Sequence, residues 1–188
     1  LRMVNWDPVG KTALSDEEVI FKEIDSKLYY IKYALATDHS KHITVATTRP
    51  ETILGDVAIC VNPNDARYLS WVGKEVIVPI INRKIPVIAD EYVDAEFGTG
   101  ALKITPAHDK NDNELGRKHQ LKALNTLDAE GKFTAADLMN ENPSELVISY
   151  NGIDRFDLRK KIVEDIAQLN LVAKIEDYKG QVGTSERT

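Results

Sequence analysis

The sequence predicts a mixed α/β domain built around a curled, barrel-like sheet with short helices at its periphery. Most of its apolar segments are short, β-branched or alternating runs that end at Pro, Gly or Asn, which is typical of strands and turns. Only three short segments favour helix. At 188 residues the chain is long enough to bury a core as one domain, which we expect to span 1–188.

The first half of the chain predicts strands joined by short turns. Strands are predicted at about 27–35, 43–49 and 57–61, with a polar turn at 37–42 and a stop at Pro50. Before them, Ser15 and Glu18 have the spacing of a helix capping box, with a polar loop as the alternative. After them come a short helix at 65–73 capped by Asn62 or Asn64, and two strands within 74–90 around Asn82 and Arg83.

The second half predicts the longer helices. A strand at 101–104 leads into a helix at about 112–120, and 121–134 favours two strands around a turn at Glu130 and Gly131. Residues 135–150 show no period and are predicted to be a surface insertion. The clearest helix is 155–170, with an apolar face of Phe156, Ile162, Val163, Ile166 and Leu169, and 171–180 closes as a strand.

Composition excludes several classes of protein. The net charge of −6 argues against nonspecific coating of nucleic acid, and the charges between Lys103 and Lys122 are mixed in sign. One cysteine, Cys60, forms no disulfide framework and is predicted to be a buried strand thiol. No signal peptide and no apolar run near the length of a membrane helix is seen, so we expect a cytoplasmic protein with no membrane partner. The ends, Leu1 and Thr188, suggest a piece of a longer polypeptide.

Two segments carry the polar side chains best suited to chemistry, and we expect them to face each other across one pocket. The first segment, 45–63, contributes Thr47, Thr48, Arg49 and Thr52, and the second, 98–112, contributes Lys103, Thr105, His108, Asp109 and Asp112. In the second segment a strand ends at Pro106 and delivers two carboxylates to a helix start, which is a good place to hold a cation.

The residues alone leave several interpretations open. His108, Asp109 and Asp112, with His119 further on, suggest a metal site, although their spacing matches no standard metalloprotease pattern. Asp109, Asn111 or Asp112 can instead cap the helix, with Glu114 as partner, and Arg49 and Glu51 can form a surface pair. No nucleophile elbow, phosphate loop or dinucleotide fingerprint is present. The pattern indicates a polar site for a small cationic or hydroxylated group.

The chain resembles the editing domain inserted in the class I aminoacyl-tRNA synthetases for valine, isoleucine and leucine. The resemblance is carried by VATTRPETILGD at 45–56 and GTGALKITPAHDKND at 98–112, and by VNWDP at 4–8 and SERT at 185–188. The valyl version fits best, because an isoleucyl domain typically has a Trp-Thr pair after the first motif's threonines and a leucyl domain has TTRPDT. The departures are 135–150 and Thr184, where an aromatic residue is more usual.

This resemblance implies hydrolysis of threonine from mischarged threonyl-tRNA(Val), with no metal or cofactor in this domain; ATP and magnesium belong to the parent enzyme's catalytic domain. Residues 1–35 and 175–188 would lead to and from that catalytic domain, which is an expected partner together with the tRNA(Val) acceptor end. The implied catalytic residues are Asp112, Lys103 and Thr105, and the implied substrate-binding residues are Arg49, Thr52, Asp109, Thr47, Thr48 and His108.

Specific roles also follow from the resemblance. Asp112 is expected to hold the α-ammonium of the aminoacyl group, and Asp109 to face the threonine hydroxyl opposite Thr52 and Arg49. Lys103 and Thr105 are expected to position the ester or the terminal adenosine and its water. Alternatives are an isoleucyl-type domain acting on valyl-tRNA(Ile), a noncatalytic module that binds the tRNA acceptor end, and a metal-dependent hydrolase.

Overall fold

A computed structural model describes residues 5–7, 12–14 and 20–184 of the chain, and it confirms the mixed α/β class. Its strands are β1 (Asn5–Asp7), β2 (Thr12–Leu14), β3 (Ile20–Leu35), β4 (Asp38–Thr47), β5 (Ala58–Val61), β6 (Glu75–Ile77), β7 (Lys84–Ala89), β8 (Ala101–Ile104) and β9 (Val172–Thr184). Its helices are α1 (Lys110–Lys118), α2 (Glu145–Ser149) and α3 (Arg155–Gln168), with 3-10 helices at Pro50–Gly55, Ala66–Tyr68 and Ala136–Glu141. The predicted capping box at Ser15 and Glu18 lies outside the described residues.

The main sheet has seven strands in the order β4-β3-β6-β7-β5-β8, with β9 paired to β3. Strand β3 pairs with three other strands, all antiparallel to it. Strand β9 pairs with its first part, and β4 and β6 pair with its end. Strands β5 and β7 are parallel, and β8 is antiparallel to β5. Because the terminal strands β4 and β8 do not pair with each other, this sheet is curled without closing into a barrel.

The core lies between this sheet and α3. Leu158, Ile162 and Ile166 are each fully buried, since their spacing of four residues places them on one helix face. The predicted apolar face of α3 was therefore partly wrong. Phe156 and Leu169 remain 41% and 52% exposed, respectively, because they lie off this stripe or beyond the helix end.

The segment 135–150 is not a surface insertion. Its 3-10 helix and α2 bury Leu138, Val147 and Tyr150 completely in the core. Leu138 comes from the 3-10 helix, and Val147 and Tyr150 come from α2 and its C-cap, so no single helix or strand period runs through the segment. This segment thus helps to close the domain.

Several local boundaries also differ from the predictions. The turn after β3 is only 36–37, and the polar residues 38–42 belong to the exposed end of the β3–β4 hairpin. The helix predicted at 65–73 is the short Ala66–Tyr68, capped by Asp65 rather than by an asparagine. Between 121 and 134 the two predicted strands do not form, and this segment makes only isolated bridges, from Leu127 to Phe133 and from Lys132 to Asp154. In the part of the chain that is described, no helix is long and apolar enough to cross a membrane.

Candidate functional site

One pocket lies where the 3-10 helix after β4, the end of β8 and the start of α1 meet, and its volume is about 170 Å³. Its lining includes all nine predicted polar residues, namely Thr47, Thr48, Arg49, Thr52, Lys103, Thr105, His108, Asp109 and Asp112. Four further residues line it, namely Leu28, Ala46, Phe97 and Leu102. The two predicted segments therefore contribute to the same pocket.

Local structure explains how these side chains converge. Pro50 begins the 3-10 helix that follows β4 and turns Thr52 towards the pocket. Lys103 and Thr105 are two residues apart at the end of β8, so their side chains point to the same face of the sheet. Gly98 has a positive φ of 57°, and a Cβ there would lie 2.8 Å from the Cβ of Ala46; a larger residue would crowd this wall.

The buried wall of the pocket is a hydrogen-bonded network centred on Lys103. Its Nζ lies 2.8 Å from Asp56 Oδ1 and 2.9 Å from Thr52 Oγ1, and it also donates to Thr105 Oγ1. Asp56 accepts further hydrogen bonds from the Thr105 hydroxyl at 2.7 Å and from the Tyr33 hydroxyl. Complete burial raises the pKa of Asp56, while the Lys103 ammonium and the two hydroxyls lower it.

The sequence interpretation missed Asp56. It ends the first motif and was not among the predicted site residues, although its position contains a signal. It lies between the apolar residues Ile53 and Leu54 and the apolar predicted strand at 57–61, and a carboxylate buried there requires a partner. That partner is Lys103, which lies in β8 and is 47 residues away in the sequence.

The two pocket carboxylates at the start of α1 have different hydrogen-bond partners. Asp109 is the N-cap, and its carboxylate accepts the backbone N–H of Asp112 at 2.9 Å. Asp112 accepts the backbone N–H of Thr105 at 2.8 Å and is only 7% exposed. Burial and the neighbouring Asp109 charge raise the pKa of Asp112 to about 7. Of the candidate caps, the structure selects Asp109 and leaves the carboxylate of Asp112 for another use.

His108 is a neutral imidazole of defined tautomer. The backbone N–H of Thr126 donates to its Nε2 at 2.9 Å, so the ring proton resides on Nδ1. Burial and the cations Arg49 and Lys103 lower the pKa of His108 to about 3. Its backbone carbonyl accepts a hydrogen bond from Arg49 Nη1, which links the two sides of the pocket.

Glu51 is not part of a surface ion pair with Arg49. It is 1% exposed, and Arg159 of α3 donates to both of its carboxylate oxygens at 2.9 Å. Arg49 Nε lies further away, at 3.9 Å from Glu51 Oε2. The ion pair between the buried Glu51 and the partly exposed Arg159 connects the 3-10 helix to α3 and so supports the wall that carries Thr52.

Of the four residues that suggested a metal, His108, Asp109 and Asp112 line the pocket and His119 lies apart from them. His119, at the C-cap of α1, lies 2.8 Å from Asp90 Oδ2, at the opposite end of the helix from Asp109 and Asp112. Across the described residues, no group of three or more His, Cys, Asp or Glu is arranged to hold a metal ion. Cys60 is fully buried in β5, as predicted, and burial raises its pKa to about 12.

Comparison with known proteins agrees with this architecture. The family model described as "Leucyl-tRNA synthetase, editing domain" matches residues 70–167, which is more than half of the chain. The fold is shared with the leucyl-tRNA synthetase CP1 structure GlLeuRS-CP1 (TM-score 0.57, 14% identity), covering 79% of this chain and 98% of that one. It is also shared with the Agrobacterium radiobacter K84 leucyl-tRNA synthetase in a ternary complex with tRNA and LeuAMS (TM-score 0.55, 15% identity, 87% and 20% coverage). The chain belongs to the family of aminoacyl-tRNA synthetase editing domains.

Within this family, the sequence is similar to valine–tRNA ligases. It is 53% identical over 188 residues to the enzyme of Porphyromonas gingivalis, with 100% of this chain and 20% of the relative covered. It is 54% identical over 186 residues to that of Chlorobaculum tepidum, with 99% and 19% covered. The chain thus spans about a fifth of the length of these relatives.

Proposed function

We propose that this domain hydrolyses the ester bond of threonine attached to tRNA(Val), as the post-transfer editing step of a valine–tRNA ligase. The observation that carries the proposal is a small polar pocket whose buried carboxylate, Asp112, accepts one backbone N–H and has a raised pKa. The ionised form of such a carboxylate is stabilised by a cation that binds beside it. The α-ammonium of an aminoacyl ester is a cation of suitable size.

Valine and threonine are nearly isosteric, so a synthetic site rejects threonine weakly; valyl-tRNA synthetase is itself the standard example of this limit and of a second, editing site. A polar second site can select by chemistry instead. Groups that hydrogen-bond to the threonine hydroxyl would be left unsatisfied by the methyl group of valine. A pocket of about 170 Å³ is below the range of sites for drug-sized ligands, which suits a single aminoacyl group inside it, with the terminal ribose and adenine at its rim.

In this proposal Asp112 holds the α-ammonium, while Asp109 faces the threonine hydroxyl opposite Thr52 and Arg49. Lys103 acts mainly through the two hydroxyls that it orients, because its three N–H groups all have protein partners. Phe97 lines the same pocket and is 47% exposed, so it offers a stacking surface for the terminal adenine.

The remaining lining residues would contact the sugar and the ester. His108 presents Nδ1–H as its one donor, which suits the ester carbonyl or its attacking water. Thr47 and Thr48 line the pocket beside Arg49 and would contact the terminal ribose.

The chemistry requires a positioned water and no covalent enzyme intermediate. The water oxygen attacks the ester carbonyl carbon, the bond to the ribose oxygen breaks, and the ribose hydroxyl recovers a proton as threonine leaves with the carboxylate. Holding water and ester together in a desolvated pocket supplies much of the acceleration, assisted by the neighbouring ribose hydroxyl. No metal or cofactor takes part in the proposed step.

The test is deacylation of threonyl-tRNA(Val) by excess domain, with valyl-tRNA(Val) alongside. We expect release of threonine and not of valine, loss of release in Asp112→Ala, and retention in Asp157→Ala, an exposed acid in α3. Wild-type rates in Asp112→Ala would refute the assignment. Sensitivity to a strong chelator would favour a metal-dependent hydrolase, and preferential release of valine from tRNA(Ile) would favour an isoleucyl-type domain.

If neither aminoacyl-tRNA is hydrolysed, the same assay in the full-length enzyme separates two explanations. Activity only in the longer protein would mean that docking of the tRNA acceptor end requires its catalytic domain. Inactivity there as well would favour a noncatalytic module that binds the acceptor end. The proposed partners are therefore tRNA(Val) and the catalytic domain of the parent enzyme, and the proposed location is the cytoplasm.

A further inference from the structure

Asp56 is the most completely buried carboxylate beside the pocket, and it is absent from the pocket lining. Its side chain has no exposed surface and accepts hydrogen bonds from Tyr33 and Thr105 in addition to its ion pair with Lys103. Its backbone carbonyl accepts a hydrogen bond from Arg83 Nη1 at 2.8 Å, and Arg83 in turn pairs with Glu141. Asp56 is therefore fixed from both its side chain and its backbone.

The hydrogen atoms around Lys103 can be assigned one by one. Its three N–H groups go to Asp56, Thr52 and Thr105. The Thr105 hydroxyl donates its single proton to Asp56, and the Thr52 hydroxyl donates to the carbonyl of Arg49 at 3.0 Å. Both hydroxyls also accept from Lys103, so each retains one unused lone pair and no proton to give.

From this assignment, which deepens the proposed function and rests on it, we infer that Asp56 is a positioning residue that determines which amino acids the pocket accepts. By taking the Thr105 proton and anchoring the Lys103 ammonium, Asp56 turns both threonine hydroxyls into hydrogen-bond acceptors. Three groups of the pocket wall, Thr52, Thr105 and Asp109, then present only hydrogen-bond acceptors to the side-chain hydroxyl of threonine, which gives its single proton to one of them. The methyl group of valine cannot donate and would leave this wall unsatisfied.

The direction of the hydrogen bond between Thr105 and Asp56 depends on the carboxylate of Asp56. Asparagine has nearly the same shape, but its NH₂ group can donate to Thr105 and reverse the direction of that hydrogen bond. Removing the charge also loosens Lys103 and frees its donors. Tyr33 provides a matched contrast, because Tyr33→Phe removes a hydrogen bond from the other carboxylate oxygen, Oδ2, and leaves the bonds to Thr105 and Lys103 in place.

The experiment compares Asp56→Asn, Tyr33→Phe and the unmodified chain in two assays. The first is the ratio of deacylation rates on threonyl-tRNA(Val) and valyl-tRNA(Val). The second is the ratio of affinities for L-threoninamide and L-valinamide, which are not esters, measured by NMR shifts of pocket amides. We expect Asp56→Asn to reduce the threonine preference by about fivefold or more, the worth of one hydrogen bond, and Tyr33→Phe to preserve it.

The affinity assay tests Asp56 even if no tRNA ester is hydrolysed, so failure of the proposed function is distinguishable from failure of this inference. A folded Asp56→Asn with an unchanged threonine preference overturns the inference, as does an unmodified chain with no preference in either assay.

If Asp56→Asn does not fold because Lys103 loses its counter-ion, the double variant Asp56→Asn, Lys103→Met removes both charges and is expected to fold. It should also lose the preference, and retention there overturns the inference. In the unmodified chain the hydroxyl protons of Thr52 and Thr105 should exchange slowly with water; fast exchange of both also overturns it.

Discussion

A buried carboxylate lies at each end of α1, and the two are equally exposed but have pKa values shifted in opposite directions. Asp90, which packs against the C-terminal end, and Asp112, in the N-terminal turn, are each 7% exposed. Asp90 accepts from Lys118 Nζ and His119 Nε2 at 2.8 Å and from the Tyr92 backbone N–H at 2.9 Å, and these contacts depress its pKa far below its usual range. The pKa of Asp112 is instead raised to about 7.

Because Asp90 and Asp112 are equally buried, the difference between their pKa values must come from their hydrogen-bonding and charged partners. Asp90 has two cationic or potentially cationic partners, while Asp112 has one backbone N–H and another carboxylate, Asp109, beside it. The N-terminus of a helix favours negative charge and by itself would lower the pKa of Asp112. The pKa is nevertheless raised, because burial and the charge of Asp109 outweigh that effect. A carboxylate that folding leaves short of partners is suited to a ligand, whereas one that is fully paired stabilises the fold.

The largest expected effect is on catalysis. Asp112→Asn should slow single-turnover deacylation of threonyl-tRNA(Val) by about a hundredfold or more, because a neutral amide cannot pair with the α-ammonium. Asp90→Asn, with the same change in shape and charge, should slow it by less than about threefold, since Asp90 lies at the other end of α1. Equal losses in the two variants would show that general damage to α1 is responsible.

How far the sequence predicted this molecule depends on the distance between interacting residues. The nine polar side chains around the pocket lie in two continuous motifs, and strand β8 and helix α3 follow from local periodicity. The cationic partners of Asp56, Glu51 and Asp90 are different: Lys103, Arg159 and Lys118 lie 47, 108 and 28 residues away, respectively, and no local pattern identifies them. The contribution of 135–150 to the core was missed because its buried residues come from two short elements that share no period.

The second effect is on stability, and its sign should differ between the two acids. A raised pKa in the folded state means that ionising Asp112 costs stability, and this cost appears as pH rises from about 4 through about 7. Asp112→Asn should therefore raise the free energy of unfolding by about 2–4 kcal/mol at pH 8, with the gain shrinking towards pH 4.

Asp90→Asn should do the reverse. Its depressed pKa gives stability that is present above about pH 4 and is lost as pH falls further. The loss should be about 1–2 kcal/mol at pH 8, because Lys118 is 67% exposed and solvent screens the pair. Urea unfolding at pH 8 and pH 4 measures both changes; a destabilised Asp112→Asn at pH 8 would contradict the proposed shortage of partners.

The third effect is a shift in the pH dependence of kcat/KM for deacylation. Ionised Asp112 is required, so the rate should rise with pH through about 7, and it should fall again as the α-ammonium loses its proton near about 8. Asp109→Asn retains the helix cap but removes the charge that helps to raise the pKa of Asp112. The acid limb should then move down by about 0.5–1 pH units. An unmoved limb would assign it to another group.

The smallest effect is expected at Lys118, which tests whether Asp90 is as fully satisfied as its contacts indicate. Lys118→Met keeps the aliphatic stem and removes one of three donors to Asp90, while His119 and the Tyr92 N–H remain. The loss of stability should stay below about 1 kcal/mol, as for exposed ion pairs, and should shrink in high salt. Deacylation should be unchanged. A loss as large as that of Asp90→Asn would mean that the Lys118 ammonium alone sustains Asp90, and the two ends of α1 would then differ by a single cation rather than by a complete set of partners.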